Sequence, residues 1–101
     1  MTETLEVTVL RPAPGLTAAD FIAANADIDV FLARQPGFQW RRITETDDGT
    51  IIDIVAYDSK EHALAGAGGI SGEMADSPVH ASIDHATVEW RVATVAHVVE
   101  A

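Results

Sequence analysis

The stretch Phe38-Gln39-Trp40-Arg41-Arg42-Ile43-Thr44-Glu45-Thr46-Asp47-Asp48-Gly49-Thr50-Ile51-Ile52-Asp53-Ile54-Val55-Ala56-Tyr57 decides the fold. Two runs rich in β-branched and aromatic residues flank Asp47-Asp48-Gly49, a strong hairpin signal. They read as strands over Phe38–Glu45 and Thr50–Tyr57. The second run is apolar on both faces, except for Asp53.

Before the hairpin, Phe21, Ala24, Ile28, Phe31 and Leu32 recur at helical spacing. Thr17 and Asp20 form a capping-box variant at the start, and Pro36-Gly37 closes a helix of about seventeen residues. Further upstream, Leu5 to Arg11 alternates as a strand, with Leu5, Val7 and Val9 on one side and Glu6, Thr8 and Leu10 on the other. Pro12, Pro14 and Gly15 end it.

After the hairpin, Asp58-Ser59 caps a second helix whose apolar stripe is Ala63, Leu64, Ala67 and Met74. Gly66, Gly68 and Gly69 each weaken it by about 1 kcal/mol relative to Ala, which predicts a break or kink there. Ser77-Pro78 opens an irregular stretch to about Ala86, and Thr87 to Val99 reads as a long last strand. The order is β-α-β-β-α-β, the ferredoxin-like α+β arrangement with one four-stranded antiparallel sheet. A chain of 101 residues carries one such domain, with no linker or repeat array in it.

Roughly half of the residues are apolar, which supports a packed core and excludes general disorder. Sixteen acids against six bases give a net charge of −10. That argues against nucleic acid and against an anionic membrane surface as partners. The chain has no cysteine, so disulfides, thiolate nucleophiles and cysteine-ligated metal clusters are excluded. Met1-Thr2-Glu3-Thr4-Leu5-Glu6 lacks the apolar segment of a secretory leader, and no apolar run reaches the roughly 18–20 residues that span a bilayer. A cytoplasmic location is the default expectation.

A four-stranded sheet with both helices on one face leaves its other face bare, and in a monomer that face should be polar. Here Ile52, Ile54 and Ala56 oppose Ile51, Val55 and Tyr57 on the same strand. Cover from a second copy about a two-fold axis is the simplest account, so a homodimer is expected. His97-Val98-Val99 would then either reach across to the partner or form a frayed tail.

Gln35-Pro36-Gly37-Phe38, Trp40-Arg41-Arg42 and Val55-Ala56-Tyr57-Asp58-Ser59-Lys60-Glu61 together resemble the antibiotic biosynthesis monooxygenase-like family of dimeric α/β barrels. The likeness covers nearly the whole chain, and its motifs are mainly architectural. It implies two sheets packed face to face, with a small-molecule pocket in each subunit between sheet and helices. Cofactor-free oxygenases of polyketide aromatics and haem-degrading oxygenases both belong to that family. The Asn, Trp and His of the haem-degrading branch correspond to Leu10 and to positions near Gly66 and Asp76, so haem degradation is not supported. The Trp that usually ends the third strand is Tyr57 here.

A two-residue Asp48-Gly49 turn sets Thr44 opposite Asp53, Arg42 opposite Val55 and Trp40 opposite Tyr57. Phe38, Trp40, Arg42, Asp53 and Tyr57 then share one face. Asp53 interrupts an apolar strand, and a buried carboxylate needs a partner. It reads either as a structural ion pair with Arg42 or as a pocket carboxylate, acting as general base or anchoring a substrate hydroxyl. Trp40 and Tyr57 read either as core or as a platform for a planar ligand, with Tyr57 able to donate to a substrate carbonyl or enolate. Asn25, one turn after Phe21, faces the pocket or caps a local polar network.

His80 and His85 are candidate pocket bases or ligand contacts. His80-Ala81-Ser82-Ile83-Asp84-His85 lacks helical zinc-site spacing and a third ligand, so no metal is expected. His62 is expected at the start of the second helix and His97 near the dimer seam. The glycines from Gly66 to Gly72 do not follow a strand, so they are no dinucleotide fingerprint. No cofactor is expected. Three functions remain open: a cofactor-free oxygenase with Asp53, Tyr57 and His80 as catalytic groups and Asn25, Trp40, Arg42 and His85 holding the substrate; a binding module; and a structural dimer.

Overall fold

The computed structural model describes residues 3–101. Met1 and Thr2, part of the stretch read above as no leader, lie outside the described residues.

The central hairpin joins β2 (Phe38–Glu45) to β3 (Ile51–Tyr57). Its loop is Asp47-Asp48-Gly49, because the Thr46 N–H donates to the Thr50 carbonyl at 2.8 Å and the Gly49 N–H donates to the Thr46 carbonyl at 3.0 Å. Gly49 sits at φ +85°, the left-handed position that closes a three-residue hairpin loop. The expected two-residue turn is thus replaced, and the register moves by one. Ile43 opposes Asp53, Arg41 opposes Val55, Arg42 opposes Ile54 and Trp40 opposes Ala56.

A bulge at Gln39 then restores Phe38 to the face of Tyr57, where the two rings meet edge-on at 6.3 Å. The expected grouping of Trp40 and Arg42 with Asp53 is therefore corrected. Trp40 and Arg42 lie on the opposite face of the sheet, where the guanidinium stacks 4.2 Å from the indole.

β1 (Thr4–Pro12) and β4 (Ile83–Thr94) complete an antiparallel sheet of order β2-β3-β1-β4. β1 presents Thr4, Glu6 and Leu10 to the interior and leaves Leu5, Val7 and Val9 half-buried on the other face. β4 starts earlier and ends earlier than expected. Pro12 pairs with Ile83, and a bulge absorbs the irregular part, with Thr87 Oγ1 accepting the Arg11 N–H at 2.9 Å. The last bond of this ladder runs from the Val95 N–H to the Glu3 carbonyl. His97-Val98-Val99 follows the strand instead of continuing it.

The first helix is two helices, α1 (Ala18–Ala24) and α2 (Ala26–Ala33), broken at Asn25. The Asn25 side chain donates to the Phe21 carbonyl at 2.7 Å, taking the acceptor that its own backbone N–H would use in a continuous helix. That N–H goes to Ile22 instead. The Thr17–Asp20 capping box is present, and Ser59 caps α3 (Lys60–Ser71).

α3 runs through its glycines without the expected break. Their role is close packing: a Cβ on Gly66 would overlap Tyr57, and one on Gly69 would overlap Phe31. These contacts seal a core of Phe21, Ile28, Phe31 and Leu32 against Leu10, Ile51, Val55 and Tyr57. A 3₁₀ turn, Pro78–Ser82, closes one end and contributes Val79. No helix among the described residues is long and apolar enough to cross a membrane.

The glycines separate by substitution. Gly66→Ala is expected to cost about 1–3 kcal/mol through overpacking, since the Tyr57 ring is fully buried and has nowhere to move. Gly68→Ala meets open space and is expected to stabilise by about 1 kcal/mol. Adding Tyr57→Phe removes the atom nearest to the new Cβ, so it should recover part of the Gly66→Ala loss. Urea unfolding of the four proteins checks the order, and equal midpoints for the two alanine variants would show that the helix does not press on Tyr57.

Candidate functional site

A cavity of about 530 Å³ lies between the inward face of the sheet and helices α1, α2 and α3. Its floor follows from the strand pairing. One ladder row reads Arg41, Val55, Glu6, Val92, and the next reads Ile43, Asp53, Thr8, Trp90. Two diagonal contacts link the rows and organise every charge on the floor.

The first diagonal is Arg41–Asp53. Arg41 Nε donates to Asp53 Oδ1 at 3.0 Å, and Nη2 donates to Oδ2 at 2.7 Å, a bidentate pair. Nη2 also donates to Asn25 Oδ1 at 2.8 Å, and Nη1 to Asp29 Oδ1 at 2.9 Å. Asn25 is fully buried and spans from this guanidinium to the Phe21 carbonyl. The helix break at Asn25 thus orients the amide that steadies the ion pair. Burial works against the Arg41 charge, but the hydrogen bonds and charges of Asp53 and Asp29 outweigh it and hold the guanidinium above its ordinary pKa.

The second diagonal is Glu6–Trp90. Glu6 is only 6 % exposed on the central strand, and its Oε2 accepts from Trp90 Nε1 at 2.7 Å. Its Oε1 is buried with no hydrogen-bond partner among the described residues. Burial pushes the Glu6 carboxyl above its ordinary value; the Trp90 bond draws it partly back, and the nearby Asp53 charge adds to the rise.

His80 and His85 also border the cavity. His80 Nε2 lies 2.9 Å from the Met74 carbonyl, and His85 Nε2 lies 2.7 Å from the His80 carbonyl. A carbonyl only accepts, so both Nε2 atoms carry the proton, and Nδ1 is the basic nitrogen of each neutral ring. Leu10, Phe21, Ile28, Leu32 and Ile70 supply apolar wall, and half-exposed Leu64, Val88 and Trp90 supply apolar surface toward solvent.

Of the residues singled out in the sequence, Asn25, Asp53, His80 and His85 meet at this cavity. Trp40 and Arg42 do not, for the register reason given above. Tyr57 does not line it either: the ring is buried beneath Gly66, and its hydroxyl has no partner among the described residues. Burial, then the Glu6 charge, raise the Tyr57 pKa. The expected Arg42–Asp53 pair is an Arg41–Asp53 pair.

No family model and no curated protein matches the chain. Solved structures do. SnoaB, a cofactor-independent oxygenase from Streptomyces nogalater, superposes with a TM-score of 0.76 at 18% identity over 97% of each chain. A candidate antibiotic biosynthesis monooxygenase from Bordetella bronchiseptica gives a TM-score of 0.77 at 13% identity, over 98% of this chain and 100% of that one. The chain has the antibiotic biosynthesis monooxygenase-like fold. A dimeric ferredoxin-like protein from an uncultured marine organism shares it, with a TM-score of 0.73 at 14% identity over 100% of this chain and 94% of that one.

Within this monooxygenase-like fold, sequence reasoning missed Glu6, Arg41 and Trp90. The alternation placed Glu6, Thr8 and Leu10 opposite Leu5, Val7 and Val9 without showing which of the two faces turns inward. The usable signal was topological: the first strand of a β-α-β-β-α-β chain is central, so a carboxylate in its middle is covered on one face or the other. The Arg41-Arg42 doublet carried a second signal, since alternation turns one of the two inward in either register.

Proposed function

We propose that the protein is a cofactor-independent, monooxygenase-like enzyme acting on a small hydroxyaromatic or polyketide-like molecule in the cavity between sheet and helices. The observation that carries this reading is Glu6, a buried carboxylate on the cavity floor with one oxygen held by Trp90 and the other unpartnered. Such a group is placed to remove a proton from a bound phenol or enol. Trp90 occupies Oε2, so Oε1 is the atom that takes the proton.

The resulting anion is electron-rich enough at its ring carbon to add dioxygen. A hydroperoxide forms at that carbon, and loss of water leaves a new carbonyl. One phenol and one dioxygen give one quinone and one water, with the substrate as the only reductant. Asp53, fixed to Arg41 and through it to Asn25, holds the floor rigid. His80 and His85 offer basic nitrogens at the cavity for the later proton movements.

Oxygen uptake with a panel of hydroxy- and dihydroxynaphthalenes tests the reading. Consumption above the autoxidation rate, matched by quinone, is expected. Uptake no faster than without protein would overturn the activity, and a ligand retained in native mass spectrometry without consumption would point to a binding module instead.

The reading includes a homodimer. Leu5, Val7, Val9, Ile52 and Ile54 form an apolar stripe on the sheet face opposite the helices. Charged Arg42, Glu89 and Arg91 flank it on the edge strands. A second copy packed on this stripe would supply its cover. Sedimentation at micromolar concentration is expected to return twice the chain mass, and a stable folded monomer there would remove the dimer.

A further inference from the structure

We infer that the cavity selects a neutral ligand bearing a hydroxyl donor and rejects the carboxylated ligand built on the same ring. This rests on the proposed site and deepens it by naming what the ligand must carry at Glu6.

Arg41 is the guanidinium at the cavity, and all three of its nitrogens are committed, to Asp53, Asp29 and Asn25. One guanidinium here faces two carboxylates, so the cluster has no positive charge to offer an anion. Each histidine at the cavity has the N–H of its neutral ring spent on a backbone carbonyl. Among the described residues, the buried polar atom left over on the floor is Glu6 Oε1, an acceptor when ionised.

A ligand hydroxyl supplies the partner that Oε1 lacks, and filling a buried acceptor is worth more than an ordinary surface hydrogen bond. A ligand carboxylate instead brings a second negative charge beside Glu6, with no uncommitted cation lining the cavity among the described residues. The apolar wall of Leu10, Phe21 and Ile28 is indifferent to that choice and sets only the demand for a ring or chain that fills the space.

Calorimetric titration with naphthol and with naphthoate at neutral pH tests this. The two probes share a ring and differ in the group presented to Glu6. Naphthol is expected to bind at least about tenfold more tightly than naphthoate, the scale of one satisfied buried hydrogen bond against one like-charge contact. Glu6→Gln keeps the side-chain shape and removes the charge. It should weaken naphthol, strengthen naphthoate and narrow the ratio to about threefold or less.

Equal or tighter naphthoate binding by the wild-type protein overturns the inference without any variant. So does a Glu6→Gln protein whose preference is unchanged, or the absence of saturable binding of either probe. The preference and the oxygenase activity are read separately. Selective naphthol binding with no oxygen uptake would leave this inference standing and remove the activity alone.

Discussion

Arg41→Met is expected to cost the fold about 3–5 kcal/mol, a loss on the scale of emptying a large core side chain. The guanidinium and the Asp53 carboxylate are each about nine-tenths buried, with side chains 10% and 11% exposed. Methionine keeps the length and apolar character of the arginine stem, so the change isolates the charged head. What remains is a carboxylate in a near-apolar floor with its two nitrogen donors gone. Asn25 loses the partner of its Oδ1 at the same time.

The loss is thus mainly the penalty of an orphaned charge, and the double variant measures that directly. Arg41→Met with Asp53→Asn removes both charges and should recover most of the stability, because replacing a whole buried pair is often close to neutral. Urea unfolding of the three proteins checks the pattern. An Arg41→Met midpoint within about 0.5 kcal/mol of wild type would mean that Asp53 has other support.

That prediction depends on a register that the sequence alone left one residue out. The strands, their order, the two outer caps and the apolar helix faces follow from periodicity and turn residues, and these were legible. The pairing of Arg41 rather than Arg42 with Asp53 was not. It hangs on whether Gly49 closes a two- or a three-residue loop and on the extra residue at Gln39. Both are decided by how the whole hairpin packs, since a slip of one residue exchanges the two faces of a strand.

The same holds for the glycines of α3. Propensity counts them as weak points, and only the tertiary contacts with Tyr57 and Phe31 turn them into the places where the helix reaches the sheet. Asn25 was legible as an inward polar residue. Its control over the helix break and over Arg41 was not, because the two contacts lie four and sixteen positions away in the chain. Apolar periodicity therefore showed which helix and strand faces turn inward, the family resemblance implied a pocket between them, and long-range register chose which charges border it.

Glu6→Gln is expected to lower oxygen uptake by about 10²–10⁴-fold, the usual contribution of a positioned general base. The variant also carries a stability signature of known sign. Burial holds the Glu6 carboxyl above its ordinary 4.5 in the folded chain. The folded state then keeps this proton more tightly than the unfolded state does. Stability from that difference is fully present below 4.5 and is lost as pH rises through the raised folded value. Glutamine has no proton to lose, so the variant should gain stability relative to wild type as pH climbs above 4.5. Both results together would show a carboxylate held in place for its chemistry rather than for its packing.

Trp90→Phe supplies the complementary shift. The indole bond draws the Glu6 value down, so losing it should move the acid limb of the pH–rate profile to higher pH. Asp53 and Arg41, the other charges that act on Glu6, stay as they are. A Glu6→Gln protein with wild-type turnover, or a Trp90→Phe profile displaced to lower pH, would take the proton-acceptor role away from Glu6.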